Sequence, residues 1–102
     1  MAIADITIIP IGTETPSVSE YIAQIQKVLE ENSDRVTYRL TPMSTLIEGD
    51  LKDVFEVIEQ LHEVPFQKGI KRVATNIRID DRRDKKSTME SKLASVEAKM
   101  SK

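Results

Sequence analysis

In the stretch Val36-Thr37-Tyr38-Arg39-Leu40-Thr41-Pro42-Met43-Ser44-Thr45-Leu46-Ile47-Glu48-Gly49-Asp50, two short strand patterns stand back to back. Val36 to Leu40 reads as one strand and Thr45 to Glu48 as the next. Thr41-Pro42-Met43-Ser44 between them reads as a turn, because proline has no N–H to give to the middle of a ladder. The spacing predicts a tight hairpin. Gly49 then leaves the second strand, and Asp50 has a side chain suited to capping a helix.

Upstream of the hairpin, residues 3 to 11 read as an isoleucine-rich strand, with Ile6 and Ile8 on one side and Ile3, Ile9 and Ile11 on the other. Both faces of that strand are therefore expected to be partly covered. Gly12-Thr13-Glu14-Thr15-Pro16 follows as a loop, and Ser17 with Glu20 has capping-box spacing for a helix from about Val18. Its apolar stripe is Val18, Tyr21, Ile22, Ile25, Val28 and Leu29, and Asn32-Ser33-Asp34 end it.

Downstream, Leu51, Val54, Phe55, Ile58 and Leu61 recur at helical spacing, in a helix whose length Pro65 is expected to limit. Ile70 to Asp80 reads as the last core strand, with Val73, Thr75, Ile77 and Ile79 on one face and Ala74, Asn76, Arg78 and Asp80 on an unusually polar second face. A charged connector from Asp81 to Lys86 leads to a second capping box at Ser87 and Glu90, then to a short helix with Met89, Leu93, Val96 and Met100 on one side.

The order is β, α, β, β, α, β, α. An α+β ferredoxin-like sandwich accommodates it: a four-stranded antiparallel sheet with two helices on one face and an additional C-terminal helix, in a single domain across residues 1-102. The second sheet face stays open in such a domain. A chain of 102 residues buries only about 60–70% of its extended surface, so the open face and the last helix are expected to meet another copy.

Composition removes several chemistries. The formal net charge of -2 gives no global attraction to nucleic acid or an anionic membrane, and the run Asp81-Arg82-Arg83-Asp84-Lys85-Lys86 mixes signs without aromatics. The absence of cysteine excludes disulfides, thiolate nucleophiles and Cys-held metals, and a single histidine excludes a multi-histidine centre within one subunit. Met1-Ala2-Ile3-Ala4-Asp5 has no basic leader, and no apolar run approaches the roughly 20 residues of a membrane span, so a cytoplasmic protein is expected.

Glu48 stands at a strand end beside apolar residues, where a carboxylate either binds a cation or donor-rich ring or simply serves as a strand-end salt-bridge partner. Thr45 offers a hydroxyl nearby, and equally suits a strand. His62 lies at the edge of the second helix's stripe, with no Ser/His/Asp grouping around it, so a structural role outweighs acid-base catalysis. Arg72 and Arg78 suit either an anion or pairing with Asp80 and Glu48. Pro10-Ile11-Gly12-Thr13 precedes a helix without the glycine spacing of nucleotide loops, which argues against ATP or NAD.

The segments Tyr38 to Gly49, Leu61-His62-Glu63 and Arg72 to Arg82, together with Pro10, Gly12, the Ser17 to Ser19 helix entry and Lys92 to Val96, resemble the thiamine-binding protein family over nearly the whole chain. That resemblance implies a ferredoxin-like fold, dimers that assemble into tetramers, and binding of thiamine or its hydroxymethylpyrimidine part, with no catalysis and no required cofactor or metal. The family's Thr-x-x-Glu-Gly pattern falls at Thr45, Glu48 and Gly49, and its histidine at His62. Glu48 is then expected to balance the thiazolium, with Thr45, Ser19, Thr13 or Asn76 meeting the aminopyrimidine. Ser44 stands where many relatives use glycine in the turn. The competing readings are a structural or regulatory homo-oligomer without a ligand, and a small hydrolase or isomerase using His62.

Overall fold

The computed structural model describes residues 1–12, 19–84 and 88–100, in the order β1 (Ala2–Pro10), α1 (Ser19–Glu31), β2 (Thr37–Leu40), β3 (Thr45–Gly49), α2 (Leu51–Gln67), β4 (Val73–Asp81) and α3 (Met89–Met100). The four strands form one antiparallel sheet in the order β2-β3-β1-β4, the ferredoxin-like arrangement expected from the element order. β1 is central. Its Ala2, Ala4 and Ile6 lie opposite Gly49, Ile47 and Thr45 on one side and Asp81, Ile79 and Ile77 on the other. Because strand side chains alternate, these positions all face α1 and α2, and Ile3, Asp5, Thr7, Leu46, Glu48, Asn76 and Arg78 fall on the opposite face.

The core lies between the helices and the first of these faces. Ala4, Ile6 and Ile47 of the sheet meet Ile25 and Leu29 of α1 and Val54, Val57, Ile58, Leu61 and Val64 of α2. Two details of α2 differ from the expectation. Phe55 is half exposed, and Val57 and Val64 take the buried positions, so the helix is rotated relative to the stripe read from its larger side chains. Pro65 lies inside the helix and does not end it. The stop comes at Gly69, whose φ of 90° places it in the left-handed region. There the Gly69 N–H donates to the Phe66 carbonyl and the Ile70 N–H to the Pro65 carbonyl, the paired bonds of a Schellman ending. That turn consumes Ile70, so β4 begins at Val73 instead.

Asp50 occupies the cap position of α2, but its side chain makes no capping bond. The α1 end is better tied: buried Asn32 donates from Nδ2 to the Val28 carbonyl at 2.8 Å and to Gln60 Oε1 at 2.9 Å, joining α1 to α2. Arg35 in the following turn pairs with Asp53 at 2.9 Å and with Glu56, both on α2.

Ser17 of the capping pair expected at α1 lies outside the described residues, as does Ser87 of the second pair. At α3 the reciprocal capping bonds run one residue later, between Thr88 and Ser91: Thr88 N–H donates to Ser91 Oγ at 2.8 Å, and Ser91 N–H to Thr88 Oγ1 at 3.0 Å. The first turn of α3 is held to the sheet. Met89 is buried, Arg39 pairs with Glu90 at 2.7 Å and Lys92 with Asp80 at 2.8 Å, whereas Leu93, Val96 and Met100 are exposed. The Lys92 hydrogen bond, followed by the lysine's charge, holds the Asp80 carboxyl below the usual carboxylate range.

Candidate functional site

The hairpin turn is closed by threonine. Thr41 Oγ1 donates to the Ser44 carbonyl at 2.7 Å and accepts the Ser44 N–H at 3.0 Å, and the Thr41 N–H meets the same Ser44 carbonyl at 2.9 Å. The Thr41 hydroxyl thus closes the turn on the Ser44 backbone without a glycine at position 44.

So fixed, the turn overhangs a cleft of about 160 Å³ between the hairpin, β1 and α1. Its walls are Ile6, Ile8, Ile22, Ile25, Leu40, Pro42 and Met43, the β1 backbone passes it at Thr7, and its hydroxyl residues are Thr41, Ser44 and Thr45. Among the described residues no charged side chain lines it. Apolar walls with a few oriented hydroxyls suit a flat, neutral ring whose edge carries donors and acceptors. The size is close to the roughly 150 Å³ of an apolar cavity that admits benzene. A cation brought into such walls would lose hydration without a counter-charge.

The residues expected at a common site are dispersed. Thr45 lines the cleft. Glu48, three positions along the same strand, projects from the other sheet face, where its Oε2 accepts the Met89 N–H at 2.9 Å and anchors α3. A carboxylate at a helix N-terminus is favourably placed against the helix dipole. His62 lies toward the β4 edge, with Nδ1 2.7 Å from Thr75 Oγ1 and its ring edge-on to Phe66 at 5.5 Å. Asn76 is exposed on the open face beside Asp5 and Arg78. Arg78 bonds Asp5 at 3.0 Å, not Asp80 or Glu48 as expected. Ser19 opens α1, whose Ile22 walls the cleft. Thr13 lies outside the described residues.

The cleft's other members, Leu40, Thr41 and Met43, were not singled out from sequence; their signal was their place on either side of the hairpin turn. The anchoring role of Glu48 predicts a local effect. Glu48→Ala should raise amide hydrogen exchange throughout α3 while leaving α1 and α2 protected, and unchanged exchange in α3 would contradict the anchor.

Among the described residues no group of three or more His, Asp or Glu is arranged to hold a metal ion, and no helix is long and apolar enough to cross a membrane. Fold and cleft together define a small ferredoxin-like α+β domain with a ring-sized recess, uncharged among the described residues. The sequence profile of the thiamine-binding protein family matches residues 4–97, and the chain belongs to that family. It is 68% identical to the UPF0045 protein YqgV of Bacillus subtilis over 98 residues, 94% of each chain. The crystal structure of MJ1052 from Methanocaldococcus jannaschii superposes with a TM-score of 0.76 at 30% identity, covering 94% of this chain and 95% of that one. A Bacillus cereus domain of unknown function shares the fold at a TM-score of 0.78 and 22% identity, over 90% of this chain and 86% of the other.

Proposed function

We propose that this chain is a non-catalytic binding protein, acting as a homo-oligomer, that takes a hydroxymethylpyrimidine-type ring, free or as part of thiamine, into the hairpin cleft. The ligand class is supported by membership of the thiamine-binding protein family across residues 4–97. The observation that carries the choice of site is the ring-sized recess lined by Thr41, Ser44 and Thr45, with no charged side chain among its described walls. In this reading the neutral aminopyrimidine enters, and the charged thiazolium of thiamine stays at the mouth in water. Ile22 and Met43 cover the ring faces, and the threonine hydroxyls meet its edge. Glu48, His62 and Asn76 lie outside this cleft in one protomer, so a contribution from them would come from a neighbouring copy.

Titration calorimetry tests this directly. Hydroxymethylpyrimidine should bind with an affinity similar to or greater than thiamine, and Thr45→Val, which keeps shape and removes the hydroxyl, should weaken both about tenfold. No heat with either compound at millimolar concentration, or full affinity in Thr45→Val, would overturn the reading of the cleft.

A further inference from the structure

The chain has no cysteine, so no thiol competes with its four methionine thioethers for a peroxide. Those four stand in different surroundings. Met89 is buried at the start of α3, and Met1 and Met100 are exposed but line no part of the hairpin cleft. Met43 is 85% exposed, the most open of the four, and it is also a wall of that cleft. Reactivity toward a dissolved oxidant and contact with a bound ring therefore meet in one side chain.

The turn holds the thioether at this place. Three hydrogen bonds between Thr41 and the Ser44 backbone bracket Pro42 and Met43, and the proline ring fixes φ of the residue before the methionine. The backbone is thus set while the unbranched side chain stays free to lie along a flat ring. Its surroundings suit a thioether and not a sulfoxide. Ile22 and Leu40 share the cleft with it, and none of the cleft's described residues carries a charge. The Thr41 hydroxyl, one residue beyond Pro42, already gives its hydrogen to the Ser44 carbonyl. The face of a ring presents no N–H to an oxygen placed against it. A sulfoxide at Met43 would keep its hydrogen bonds by turning to water and leaving the ring, or lose them by staying.

We propose that Met43 is a modification site, at which a peroxide converts the thioether to the sulfoxide and lowers the affinity of the cleft for its ring ligand. Hydrogen peroxide transfers one oxygen to Sδ as its O–O bond breaks. The sulfur is oxidised by two electrons, and the proton on the transferred oxygen passes to the departing hydroxide, which leaves as water. Sulfoxide reductases with a dithiol reverse the change, the oxygen leaving as water and the dithiol becoming a disulfide. Control of the cleft in this way rests on the cleft being the ring site.

The test titrates the full chain with hydroxymethylpyrimidine by calorimetry, before and after treatment with hydrogen peroxide that peptide mass spectrometry shows to have added one oxygen at Met43. The Kd should rise about tenfold or more, and fall back after treatment with methionine sulfoxide reductases for both epimers and dithiothreitol. In Met43→Leu the Kd, whatever its starting value, should be the same before and after peroxide. Met100→Leu should keep the full response of the parent. Met100 also serves as an internal clock, because it is about as exposed as Met43 and lies outside the cleft. Saturating hydroxymethylpyrimidine should slow oxygen uptake at Met43 severalfold relative to Met100. No heat with the untreated chain at millimolar ligand would overturn the ring site, and this control with it. Binding by the untreated chain with equal affinity in the Met43 sulfoxide form, or an equal loss on peroxide treatment in Met43→Leu, would overturn the control alone and leave the ring site standing.

Discussion

Leu61→Ala is expected to lower the stability of the fold by about 2–5 kcal/mol. Leu61 is fully buried on α2 and belongs to the cluster that joins the helices to β1 and β3. Alanine would remove most of the side chain from a site walled on several sides, and the neighbours are held by regular structure that relaxes only partly. The cost therefore combines lost transfer energy with a cavity. Because small domains are stable by only about 5–15 kcal/mol, the change is a large share of the total. Urea unfolding should show a lower midpoint with an unchanged slope, the sign of lost stability without a change in the surface exposed. Leu93→Ala is the matching control. Leu93 is half exposed on α3, beyond the turn that Glu48 and Lys92 hold to the sheet, so the same truncation there should stay within about 0.5 kcal/mol. Equal effects at the two positions would mean that α2 is not the helix that closes the core.

The difference between those leucines also marks where sequence reading works and where it stops. Element order, hairpin and sheet pairing follow from local signals: proline in the turn, alternation in the strands, and apolar residues at helical spacing. The rotation of α2 does not. Positions 54, 58 and 61 fit helical periodicity equally well with Phe55 or with Val57 beside them, and the larger ring looks like the stronger core residue. What decides is how the helix packs against the sheet, where Val57 and Val64 join the cluster with Ala4, Ile6 and Ile47, and those contacts are distant in sequence. The candidate site divides in the same way. Thr45 and Glu48 are separated by an odd number of strand positions, so their opposite faces were legible from alternation alone. The partner that occupies Glu48, the Met89 amide, is 41 residues away and was not. The cleft likewise needs α1 folded against the hairpin before Ile22 and Met43 become its walls.

Gly49→Val is expected to destabilise the fold by about 1–3 kcal/mol or more, for the opposite reason to Leu61→Ala: too much volume where there is too little space. Gly49 ends β3 opposite Ala2, and its backbone is not in the left-handed region, so conformational freedom is not what the position requires. Close approach is. A Cβ there would stand 3.0 Å from the Arg35 carbonyl oxygen and 3.2 Å from Val36 Cγ1. The first of these atoms belongs to the backbone and cannot rotate away. Nor is its segment free to shift, because the Arg35 N–H and the Val36 N–H both bond to the Asn32 carbonyl, and the Arg35 side chain is tied to Asp53. Even Gly49→Ala should therefore be costly, and each extra methyl of valine adds to the crowding. A double-mutant cycle separates the two contacts. Val36→Ala alone should destabilise by opening the core, and its combination with Gly49→Ala should cost less than the sum, because the Val36 methyl is gone. The residual cost in the double variant then reports the Arg35 carbonyl. A Gly49→Ala variant as stable as the parent would show that the α1-β2 turn does not press on the end of β3.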